Sequence, residues 1–198
     1  MLTEEVVKSI NWIDILVAAI IIRIIYVGFK RGFVVELFKL IGVVLAVFVT
    51  LHYFSTFSQS LQDSAHFPAG IANIVAYGML WGAVILVFKL VRDGLLVLLK
   101  IEAHSALDKW GGVILAAGRS VLLASLTLLF LSAATIGYFT KNLEKSLVSS
   151  RVVRVAPGLY EGIYDGIVVK FFPEEKLNTA AFTLSDFNSG VQGKEEKR

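Results

Sequence analysis

Trp12 to Val27 reads WIDILVAAIIIRIIYV, Gly28 to Gly32 reads GFKRG, and Phe33 to Tyr53 reads FVVELFKLIGVVLAVFVTLHY. A helix rises 1.5 Å per residue, so a bilayer core about 30 Å thick takes about 20 apolar residues to cross. Both runs are close to that length. The basic turn between them is too short to leave the interface, so the two spans must run antiparallel. Trp12 and Tyr26 bracket the first span as interfacial aromatics do.

The same pattern continues outward. A third span is read at Ile71 to Phe88, closed by Lys89 and Arg92, and a fourth at Val113 to Tyr138. Ser55 to Gly70 (STFSQSLQDSAHFPAG) is polar, lacks Lys and Arg, and reads as a loop. Leu90 to Ile101 (LVRDGLLVLLKI) is too short to span alone. It either extends the third span or lies as an amphipathic helix in the interface.

Composition supports this reading. The 198 residues are 56% hydrophobic and 18% charged, against about 25% charged in soluble domains. The net charge of +3 does not indicate nucleic acid, because the basic residues flank the apolar runs instead of forming one stripe with aromatics. The chain has no cysteine, which excludes disulfides and thiol chemistry. Glu4 and Glu5 stand where a cleavable signal requires positive charge, so the first run is read as a retained span.

Basic residues orient the spans. Lys30, Arg31 and Lys39 follow the first span, and Lys89, Arg92, Lys100 and Lys109 lie between the third and fourth. The segment between the second and third has none. Both termini are therefore expected outside the cytoplasm, although Lys141, Lys145, Arg151 and Arg154 oppose that assignment.

The expected fold is all-α: an integral membrane four-helix bundle over residues 1–140, then an extramembrane amphipathic segment and polar tail over 141–198. Leu159, Ile163, Ile167 and Phe171 recur every four residues within Pro157 to Phe172, as one apolar helix face does. That helix either packs on the membrane surface or docks a partner. Asn188 to Arg198 has the composition of a disordered tail.

Charges inside spans mark the candidate site, since each costs about 2.5–3.5 kcal/mol at a helix centre on insertion scales. Antiparallel packing places Arg23, Glu36 and Arg119 in one leaflet, with Asp14 at the opposite end of the first span. Arg23 can snorkel to the basic side. Glu36 is the acid at the right depth to meet Arg119 or Arg23, and a Glu36–Arg119 pair is expected to tie span two to span four. Three readings stand open: a pair that fixes helix register, a polar site on a solute or proton path, and snorkelling without pairing. Small residues recur at Gly112, Ala116, Ser120 and Ala124, and at Gly78 and Gly82. That spacing permits close helix crossings. Arg119 projects within about 20° of Gly112 and Asp108 about 40° to the same side, so the small face is also the charged one.

No cofactor or metal is expected: His52, His66 and His104 fall in separate segments, without ligand spacing. No phosphate loop, nucleophile elbow or HExxH is present, and no enzyme activity is expected.

Two motifs carry a resemblance. Asn11-Trp12-Ile13-Asp14 leading to Arg31-Gly32-Phe33-Val34-Val35-Glu36-Leu37 is similar to a W-x-D followed by R-G-F-x-x-E-L. Asp108-Lys109-Trp110-Gly111-Gly112 leading to Arg119 is similar to D-R-x-x-G-x-x-x-G-x-x-R-G. In these, over Ile10 to Leu131, the chain resembles the colicin V production protein (CvpA) family of bacterial inner-membrane proteins. Lys109 stands for the family's Arg, and Ala116 and Ser120 for Gly. The resemblance implies a role in production or export of a peptide toxin, or in envelope processes, without an assigned activity. It makes Asp14, Arg31, Glu36, Asp108 and Arg119 functional candidates. The leading expectation is a non-enzymatic protein that acts in the bilayer through membrane-protein partners. The alternative is a small channel or transporter, necessarily a homo-oligomer because four spans are few to enclose a pore, with Glu36 and Arg119 on its polar path.

Overall fold

The computed structural model describes residues 12–99, 106–133, 149–183 and 185. Among them the chain is helical and contains no strand. Four helices are long and apolar enough to cross a bilayer: α1 (Trp12–Arg31), α2 (Phe33–Ala65), α3 (Ala69–Leu99) and α4 (Ala106–Ala133). A short α5 (Ser149–Val152) and α6 (Val155–Ile163) follow. A π-helical turn at Tyr164–Val168, then α7 (Val169–Phe171) and α8 (Ala180–Thr183), complete a C-terminal arm.

Two helices form the centre. In the most apolar window, 39% of α2 and 44% of α4 residues are buried, against 17% for α1 and 11% for α3. α1 packs mainly on α4 and α3 mainly on α2. The turn therefore folds α1 back antiparallel to α2 but splays them, so that each finds a different neighbour. The outer helices present Ile15, Ile22, Met79, Leu86 and Val87 outward, as surfaces that meet lipid require.

Two elements run longer than their hydropathy indicates. α2 continues through the polar stretch read as a loop and stops at Ala65, which makes it about 50 Å long. The polar residues there bond within and between helices: Ser58 Oγ donates across to Asn73 Oδ1 of α3 at 2.6 Å, and Gln62 Nε2 donates to Ser58 Oγ one turn back along α2 at 3.2 Å. His66 ends the helix at φ 55°, its N–H donating to the Gln62 carbonyl at 3.1 Å. The connection shrinks to His66–Pro68. Likewise α3 runs unbroken to Leu99, so 90–99 extends the third span; Lys100 and Ile101 lie outside the described residues, as do 134–138 of the fourth.

The apolar core lies between α2 and α4 on the side away from the basic turn, around Val47, Leu51, Tyr77, Leu126 and Leu129. Hydroxyls within α4 bond to their own helix: Ser120 to the Ala117 carbonyl at 2.7 Å and Thr127 to the Leu123 carbonyl at 2.7 Å. That removes the cost of polar groups where there is no water.

The arm docks on this core end. Ser125 Oγ donates to the Val153 carbonyl and accepts from the Ala156 N–H, each at 2.9 Å. Val153, Ala156, Tyr160 and Val168 are buried. The expected stripe therefore lies beside the docked face: Ile167 is 54% and Phe171 72% exposed. The buried positions Ala156, Tyr160 and Val168 keep a four-residue register one place beyond Leu159 and Ile167, so the offset is present before the π turn begins.

Candidate functional site

The basic turn seats on the start of α4, and glycines allow it. Gly32 has φ 77° and ψ 172°, a region open to glycine alone. At the α1–α4 crossing, a Cβ on Gly28 would fall 2.3 Å from Ala116 Cβ. One on Gly112 would fall 2.9 Å from both the Gly28 oxygen and the Gly32 carbonyl carbon. A Cβ on Gly111 would meet the Phe33 ring at 2.8 Å. The backbones of α1, the turn and α4 thus touch directly.

That contact aims Asp108 at the start of α2. Its Oδ1 accepts the Phe33 N–H at 2.7 Å, one of the donors a helix start leaves unsatisfied. Gly32, the residue at the cap position, has no side chain to do so. Asp108 is thus a helix cap supplied from another helix. Asp108→Ala is expected to cost about 1 kcal/mol, in the usual range for a lost cap, and Asp108→Asn less. Unfolding midpoints in detergent would check both.

Four residues into α2, Glu36 is fully buried. Lys39 pairs with its Oε1, and Arg119 Nη2 lies 2.7 Å from its Oε2. The second contact is a charge contact and not an aligned hydrogen bond, since Oε2 and Arg119 Nε lack hydrogen-bond partners. The carboxylate therefore ties α2 to α4 about one turn into the span, where each buried charge alone would be costly.

Of the candidates, Arg31, Glu36, Asp108 and Arg119 gather at this end of the bundle, with Arg31 exposed at the end of α1. Asp14 lies in the first turn of α1, at the opposite end. Among the small residues, Gly112 and Ala116 make the α1–α4 crossing and Ser120 is buried. Gly78 makes an ordinary contact with Phe130 at 3.5 Å, while Gly82 meets nothing within 4 Å and takes no part in a crossing.

A second cluster was not legible in sequence. His52, buried on α2, lies 2.9 Å from the Tyr160 hydroxyl and 3.3 Å from Glu175 Oε2. Asn178 donates its backbone N–H to the Tyr160 oxygen at 3.0 Å and its side-chain amide to the Leu51 carbonyl at 2.7 Å. Burial pushes the Tyr160 phenol above its ordinary pKa, and the Asn178 N–H works in the opposite direction. Separations above 100 residues within the cluster leave no spacing signal to find.

Four apolar spanning helices, two of them tied at one end by a buried carboxylate between two cations, define a multi-pass helical membrane protein. The family described as colicin V production protein matches residues 13–157, well over half of the chain. The chain belongs to that family. Comparison with curated proteins and with solved structures found no match. The matched span holds all five candidate charges and ends before Tyr160, Glu175 and Asn178.

Proposed function

We propose that this chain is a non-enzymatic protein of the bacterial inner membrane that supports production or export of a colicin V-type toxin, or envelope homeostasis, by holding a membrane-protein partner. The family membership supports the setting. The observation that carries the partner role is a groove of about 430 Å³ between α2 and the arm. Val44, Leu45 and Phe48 form one wall, and Ile163, Ile167 and Phe172 the other. Its largely apolar lining joins a bilayer-spanning helix to the C-terminal arm, with Glu175 at its edge. Such a groove fits a partner's transmembrane helix whose apolar face ends in a basic residue. Under the positive-inside rule the groove faces the outer side and the basic turn the cytoplasm.

The joint variant Ile167→Glu, Phe172→Glu is expected to insert normally but fail to support toxin production in a colicin V-producing host whose own family member is deleted. Each lost anchor of hot-spot quality, about 2 kcal/mol, weakens a partner complex about thirtyfold, and the two together by up to about a thousandfold. Undiminished production at normal membrane levels would sink the proposal. The channel reading has less support, because the bundle beyond Glu36 and Arg119 is filled by Val47, Leu51, Tyr77 and Leu126. Solute flux through proteoliposomes that Arg119→Leu abolishes would nevertheless establish it.

A further inference from the structure

Between the four helices, at the end with the basic turn, lies a half-open cleft of about 310 Å³. This is at the lower end of the about 300–1,000 Å³ typical of small-molecule sites. Six cations line it: Arg23 and Arg31 from α1, Lys39 from α2, Lys89 and Arg92 from α3, and Arg119 from α4. No described carboxylate lines it. Glu36 offsets at most one charge between Lys39 and Arg119, and Asp93 offsets that of Arg92. The wall stays strongly positive.

Arg119 Nε is buried and donates to no described atom, although buried donors are nearly always satisfied. Cations converging from separate helices at one membrane depth are stable when an anion lies among them. Every other lining residue is apolar or glycine, Ile24, Phe38 and Phe88 among them. That combination suits a molecule with a charged head and a hydrocarbon body.

We infer that the cleft binds the phosphate headgroup of an anionic phospholipid, drawn laterally from the leaflet on the side of the basic turn. The guanidinium and ammonium groups hold the phosphate, and the apolar rim takes the glycerol and the start of the acyl chains. Basic pockets between transmembrane helices on the cytoplasmic side recognise such headgroups elsewhere. The inference does not depend on the partner role proposed above.

The test is native mass spectrometry and thermal unfolding of the full chain in neutral detergent, titrated with phosphatidylglycerol, cardiolipin or phosphatidylcholine. Wild type is expected to retain the anionic lipids at least about tenfold better than phosphatidylcholine and to unfold at higher temperature with them. The variant Arg23→Gln, Arg92→Gln leaves the Glu36 contacts intact. It should unfold at the wild-type temperature without lipid and lose both the retention and the upward shift. Equal retention of anionic and zwitterionic lipids, or undiminished binding by the variant, would overturn the inference. Displacement of bound lipid by millimolar inorganic phosphate would overturn the lipid assignment in favour of a soluble phosphate site.

Discussion

Glu36→Leu is expected to be among the most damaging single changes in this chain, lowering stability by about 3–5 kcal/mol, the usual cost of stranding a buried charge. The carboxylate is fully buried and touches Lys39 and Arg119, whose side chains are 10% and 11% exposed. Its loss leaves two cations facing each other where little water reaches them. Arg119→Leu should cost less, because Glu36 keeps Lys39. Glu36→Gln combined with Arg119→Leu should recover part of the loss of Glu36→Gln alone, since the remaining amide then faces a single cation. Unfolding midpoints across this cycle, measured in detergent at low and high salt, give the coupling directly. A buried pair is weakly screened, so the coupling should survive added salt. A double variant worse than both single variants would show that the two residues do not act as a pair.

Gly112→Leu should separate α1 from α4, and Gly112→Ala should destabilise by about 1–3 kcal/mol, the range for overpacking a tight contact. The added Cβ meets backbone atoms of Gly28 and Gly32 at 2.9 Å, which no rotamer change can move aside. Gly118 lies on the same helix, where a Cβ meets nothing within 4 Å. Gly118→Ala is therefore expected to be neutral or to gain up to about 1 kcal/mol of helix propensity. Opposite signs for the two Gly→Ala changes are the diagnostic result. Equal effects would mean that the α1–α4 crossing is looser than the structure shows.

Much of the site could be read from the residues. Bilayer thickness and antiparallel order place Arg23, Glu36 and Arg119 in one leaflet. Charge cost then pairs the acid with Arg119, and the ion pair is present. The small residues on α4 marked a close crossing but not its partner, since the four-residue counterpart of Gly28 is Gly32, beyond the end of α1. The polar stretch after Tyr53 read as a loop because hydropathy measures where lipid ends, not where a helix ends. There Ser58 bonds across to Asn73 of the next helix, and Gln62 bonds to Ser58 along the same one.

Depth along each span, the spans' antiparallel order, the charged end and the family motifs are all set by the sequence alone. Depth is legible because transfer from water to hydrocarbon is local to each residue. Apart from the α2–α4 tie marked by Glu36 and Arg119, which helices touch was decided only in three dimensions. In a soluble bundle the apolar stripe marks the inward face. In a bilayer, apolar side chains face both lipid and core, so rotation about the helix axis leaves little trace in hydropathy. For that reason the splay of α1 from α2, the capping of Phe33 by Asp108, the arm seated on His52 and the cleft of six cations appear only once the helices are packed.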